Sequence, residues 1–189
     1  MKKYILASKS PRRIMLLKDY GIEATSMPAD IIENPPVKDD YVSTVMYLAL
    51  KKAMAIYMGG ETEGYDIIIG SDTVVYTDKI LGKPATRQEA YDMIKSISGK
   101  CHIVSTGIAV IDISRDIKYV SHEDTKVYIK NMSESEILEY IDTDEPYDKA
   151  GGYAIQGLFG NYVESFKGSY TNVMGLPKDK LMKMLDSIR

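Results

Sequence analysis

The chain has 189 residues, 44% of them hydrophobic and 27% charged, with a net charge of -3. That length and apolar content allow one sizeable core and exclude a wholly disordered chain, while the acidic balance argues against a protein that grips nucleic acid through a broad basic face. Cys101 is the only cysteine, so no intrachain disulfide can form and a reducing compartment fits.

Met1-Lys2-Lys3-Tyr4 leads into an apolar run too short for a signal peptide. No stretch reaches the roughly 18 apolar residues of a membrane span, so the expectation is a soluble, cytoplasmic protein away from membranes. A strand is predicted from Tyr4 to Ser8, followed by a helix from Pro11 to about Tyr20 with Gly21 as its stop. Between them, Ser8-Lys9-Ser10-Pro11-Arg12-Arg13 places hydroxyls and cations where a helix begins. Ser10 suits the N-cap and Pro11 the first helical position, so the unpaired amides and positive dipole end face one place. Such a start either binds phosphate or is a solvated basic turn.

Glu23 to Met27 follows as a second strand, and Glu33-Asn34-Pro35-Pro36 reads as a loop stiffened by proline. A long helix is expected over 41–58, ended by Gly59-Gly60, and a buried strand over 66–76. Thr86 with Glu89 opens a third helix, to Ile97, and Ser133 with Glu136 opens another, to Ile141. Between these, His102 to Ile113 and Tyr119 to Ile129 read as strands around a turn at Ser114-Arg115-Asp116. The stretch from Gly151 to Pro177 is dense in glycine, and Lys178 to Ile188 is an amphipathic helix. The order implies an α/β fold: a mixed twisted sheet flanked by helices, two-lobed with a central cleft, in one domain over 1–189.

Asp72 interrupts an apolar strand in Gly70-Ser71-Asp72-Thr73. A carboxylate there is costly unless paired or bound to metal, so it is either a site group or a cap for a turn beside Gly70. Glu33 alone reads as a solvated loop acid; with Asp72 it forms the carboxylate pair that a hard cation such as Mg²⁺ uses when phosphate completes its shell. Lys52 lies on a helix, where most lysines are merely solvated, whereas Gly82 and Pro84 fix the backbone of Lys83. Asp148-Lys149-Ala150-Gly151-Gly152 sets an ion pair beside a glycine pair, and Gln156 before Gly157 can offer a ligand edge both a donor and an acceptor. His102 reads as a satisfied structural histidine, and Tyr153 as packing.

Leu6 to Arg13, Gly70 to Val74, Leu81 to Pro84, Ser98-Gly99 with His102 and Thr106-Gly107, Asp148 to Gly157, and Gly168-Ser169-Tyr170 with Val173 and Gly175-Leu176-Pro177 together resemble the Maf family. These are nucleoside triphosphate pyrophosphatases, also called septum formation inhibitor proteins. The resemblance runs almost end to end and implies hydrolysis of a triphosphate to the monophosphate and pyrophosphate with a divalent metal, Mg or Mn. It implies that Asp72 is the catalytic proton acceptor and that Ser8, Arg13, Glu33, Lys52, Lys83 and Lys149 line the phosphate and metal region. Arg12, Thr73 and Gln156 look like the branch acting on dTTP and UTP, since the 7-methyl-GTP branch carries tryptophan where Arg12 stands. A uracil or thymine edge sets O4 beside N3–H, which one primary amide matches; cytosine reverses the pattern. Two alternatives stand beside this: a purine pyrophosphatase acting on ITP or XTP, and a non-enzymatic nucleotide-binding regulator of cell division. Whether the protein forms a homodimer is open.

Overall fold

The computed structural model describes residues 2–37 and 40–188. Strand β1 (Tyr4–Leu6) leads to helix α1 (Pro11–Asp19), β2 (Ala24–Ser26), the long helix α2 (Tyr41–Gly59), β3 (Ile67–Tyr76) and β4 (Ile80–Leu81). After these come α3 (Arg87–Ile97), β5 (Cys101–Asp112), β6 (Ile117–Ile129) and α4 (Glu134–Ile141). Three short 3₁₀ turns precede β7 (Val163–Lys167), α5 (Tyr170–Val173) and α6 (Lys178–Asp186). The strands pair in the order β2-β1-β3-β5-β6-β7, with β4 beside β3. β1 runs parallel to both β2 and β3, while β3–β4 and β6–β7 are antiparallel, so the sheet is mixed and flanked by helices as expected.

Local chemistry accounts for the helix ends. Asp40 caps α2 by accepting from the amides of Val42 and Ser43 at 3.0 and 3.1 Å. Ser133 and Glu136 form the full reciprocal capping box of α4. At α3 the box is modified: the Glu89 amide donates to Thr86, but the Glu89 carboxylate accepts from Ala85 N–H at 2.7 Å rather than from the cap residue. Ser10 sits at the N-cap of α1, yet its side chain makes no capping bond; its amide donates to Ser8 Oγ at 3.2 Å.

The chain divides into two compact units. One comprises Met1–Asp72, Thr106–Glu123 and Gly175–Arg189; the other comprises Thr73–Ser105 and Asp124–Met174. The first has a core of Ile5, Ala7, Ala49, Ala53, Ile68 and Ile111. Its small residues have a purpose. A Cβ on Gly70 of β3 would lie 2.2 Å from the Ala49 carbonyl oxygen, and one on Gly107 of β5 would lie 2.1 Å from that of Val45. Only glycine lets α2 rest this close to the strands. The second unit packs α3 and α4 around Ile94, Ile97, Val127, Ile137 and Phe159, all nearly inaccessible.

Candidate active site

Strand periodicity makes Asp72 a neighbour of helix α2. Side chains two apart share a face, so Asp72 projects from the side on which Gly70 touches Ala49 and Ala53. Lys52 precedes Ala53 on that helix and extends its ammonium to Asp72 Oδ1 at 2.6 Å. The same Nζ reaches Glu33 Oε1 at 2.7 Å, so one cation bridges two carboxylates from different segments. Asp72 and Lys52 are largely buried, whereas Glu33 is exposed. Burial raises the Asp72 carboxyl above the usual carboxylate range, and the charges of Lys52 and Arg13 only partly offset it. A carboxylate so placed binds its proton more tightly than a solvated one.

Arg13 approaches from the start of α1. Its Nε donates to the Gly175 carbonyl at 2.9 Å, and Nη1 stands 3.4 Å from Ser8 Oγ. Ser71 Oγ donates to the same Gly175 carbonyl at 2.9 Å, and Tyr20 OH donates to that of Leu176 at 2.7 Å. Gly175 has φ 107, a conformation that disfavours side chains, and it turns its carbonyl toward both donors. Desolvation lowers the Arg13 pKa from its ordinary value, against the raising effect of Asp72; an arginine nonetheless keeps its charge. Ser71, Tyr20 and the Gly175 carbonyl escape a composition-based reading, because their contribution is to hold other groups. Ser71 and Gly175 lie within the quoted motifs, whereas Tyr20 lies in none of them.

Ser8, Arg13, Glu33, Lys52 and Asp72 therefore belong to one constellation in the first unit, with Ser10 and half-buried Arg12 beside it at the start of α1. Thr73, Lys83, Lys149 and Gln156 belong to the second unit. There the turns bearing Lys83 and Lys149 are tied together, since the Gly151 amide donates to the Gly82 carbonyl at 2.8 Å. A Cβ at Gly151 would stand 2.7 Å from Val75 Cγ2, and φ of 69 likewise demands glycine. Lys83 is exposed, Lys149 pairs with Asp148, and Gln156 is exposed. His102 and Tyr153 are buried against each other, Nε2 to OH at 2.5 Å, and burial lowers the His102 pKa to about 4.

Among the described residues no three His, Cys, Asp or Glu side chains converge as a metal cluster. Two do converge on a single cation, because Glu33 and Asp72 both contact the Lys52 ammonium. Two carboxylates supplemented by phosphate oxygens and water form a suitable donor set for Mg²⁺ or Mn²⁺.

Fold and site together define an α/β protein with a buried carboxylate held among lysine and arginine charges. The family model described as Maf-like protein matches residues 3–188, and the chain belongs to that family. It is 46% identical to the dTTP/UTP pyrophosphatase of Caldicellulosiruptor bescii over 190 residues, covering 100% of this chain and 96% of the relative. The dTTP/UTP pyrophosphatase of Desulforamulus reducens is 44% identical, with 98% and 96% covered; that of Exiguobacterium sibiricum is 42% identical, with 97% and 91% covered. Among solved structures, the Staphylococcus aureus Ham1 protein aligns with a TM-score of 0.47 and 11% identity, over 68% of this chain and 72% of that one. No helix among the described residues is long and apolar enough to cross a membrane.

Proposed function

We propose that this chain hydrolyses nucleoside triphosphates, dTTP and UTP foremost, to the monophosphate and pyrophosphate, as a single-domain cytoplasmic enzyme. The observation that carries the reading is the bridged set Glu33–Lys52–Asp72 beside Arg13, in a chain 42–46% identical to relatives named dTTP/UTP pyrophosphatase. House-cleaning of modified pyrimidine triphosphates falls within the same chemistry.

Water attacks the α-phosphorus in line, the bond from that phosphorus to the bridging oxygen breaks, and pyrophosphate leaves. Asp72 accepts the proton of the attacking water, a task suited to a carboxylate whose basicity burial has raised. Arg13 and Lys52, with the amides and the Ser8 and Ser10 hydroxyls at the start of α1, balance the charge that accumulates on the leaving group, a role the family resemblance extends to Lys83 and Lys149. Glu33 would hold a divalent cation, Mg or Mn, which supplies Lewis acidity toward the phosphate oxygens; ligating that cation is the alternative role of Asp72 to that of base, since a metal-bound carboxylate is a weaker base. Base choice is assigned to Gln156 and Arg12, and Thr73 marks the same branch of the family.

The test is UTP turnover by Asp72→Asn with Mg²⁺ and with Mn²⁺. A loss of about 10² or more in kcat is expected for removing a general base. Near wild-type rates would overturn the role.

A further inference from the structure

Gln156 lies on an exposed bend with no regular secondary structure, so its amide can discriminate bases only if the bend itself is fixed. On the upstream side, the bend is fixed through the neighbours of Tyr153. The Gly151 amide binds the Gly82 carbonyl, Tyr140 OH lies 3.1 Å from the Gly152 carbonyl, and Tyr153 OH meets His102. On the downstream side, one side chain holds it. Glu145 Oε2 accepts from the Leu158 amide at 2.8 Å, and Oε1 accepts from the Phe159 amide at 3.2 Å.

The fit around this carboxylate is close. A Cβ built on Gly157 would fall 2.4 Å from Glu145 Oε2, so the absence of a side chain next to Gln156 is what lets the carboxylate reach the two amides. Tyr140 OH stands 3.2 Å from Glu145 Oε1 and 3.1 Å from the Gly152 carbonyl, two acceptors that share its single proton between the two ends of the bend. Burial, with Glu145 as the second cause, raises the Tyr140 pKa and keeps that hydroxyl protonated as a donor. Two amides facing two oxygens require a carboxylate, because glutamine would present one acceptor and turn its NH₂ toward the second N–H.

We propose that Glu145 is a positioning residue for base selectivity: by holding the amides of Leu158 and Phe159 it fixes the orientation of Gln156. This rests on the reading of Gln156 as the amide that meets the pyrimidine edge. Glu145 acts on no reacting atom, so its loss alters discrimination more than the chemical step.

The experiment compares kcat/KM for UTP and CTP in wild type, Gln156→Ala, Glu145→Ala, Glu145→Gln and the Gln156→Ala/Glu145→Ala double variant. Gln156→Ala is expected to lower the UTP-to-CTP ratio about tenfold, the scale of one unpaired buried polar group. Glu145→Ala should lower it by a similar factor, mainly through KM for UTP, and Glu145→Gln by less. The double variant should lose no more than Gln156→Ala alone, because one residue acts through the other. A ratio that falls in Gln156→Ala but is unchanged in Glu145→Ala overturns the positioning role and leaves the reading of Gln156 intact. Multiplied losses in the double variant also overturn it. A ratio unchanged in Gln156→Ala overturns the base contact itself, and the role of Glu145 with it. Should Glu145→Ala fail to fold, the ratio in Glu145→Gln decides in the same way.

Discussion

The Lys52 ammonium lies 2.6 Å from Asp72 Oδ1, and the Asp72 carboxyl is nevertheless harder to ionise than one in water. Burial thus outweighs the attraction of the ion pair, and removing one partner should cost more than the pair contributes. Lys52→Met is expected to lower unfolding free energy by about 2–4 kcal/mol by leaving a buried carboxylate uncompensated. Adding Asp72→Asn should restore most of that loss. Urea titration of both single variants and the double variant measures the coupling; strictly additive losses would contradict it.

Gly70 brings the helix close enough for that contact. Gly70→Ala inserts a Cβ 2.2 Å from a backbone oxygen of Ala49, a collision that no rotamer relieves. The expected cost is about 1–3 kcal/mol of stability, as for an overpacked core. Pyrophosphate release should fall further than the folded fraction does, because α2 also carries Lys52. Activity measured well below the variant's melting temperature separates the two effects; full activity there would contradict the account.

The main elements were legible because their periodicity and caps agree. The α2 helix has the spacing of a buried face and a glycine stop, and α4 has the Ser133–Glu136 box. β4 and β7 were not legible: the first has two residues, and the second reads Val-Glu-Ser-Phe-Lys with mostly exposed side chains. Asp72 stood out as a charge in an apolar strand. Its link to Lys52 did not, because sequence spacing does not show that Gly70 and Gly107 let a helix lie on the strands. Ser10 matched the N-cap preference in type, yet its side chain makes no capping bond, and its backbone amide, which no cap uses, donates to Ser8 Oγ. Nothing in the local sequence marks Glu145. Its two amide partners come from residues 13 and 14 positions later.

His102 gives the fold a defined acid response. Its pKa is lowered from 6.5 to about 4 by burial, so between those values the unfolded chain binds a proton that the folded chain does not. Stability from this residue is therefore present above pH about 6.5 and lost as pH falls through about 4, by up to about 3 kcal/mol. His102→Gln cannot titrate. Its melting temperature should fall less steeply than that of the wild type between these pH values, and parallel curves would contradict the assignment.

The central claim is tested most directly by pyrophosphate release from a panel of dTTP, UTP, CTP, ITP and XTP, with Mg²⁺, with Mn²⁺ and without metal. The account predicts pyrophosphate and monophosphate in equal amounts, fastest from dTTP and UTP and dependent on metal. Preference for ITP or XTP, or nucleotide binding with no pyrophosphate from any triphosphate, would contradict it.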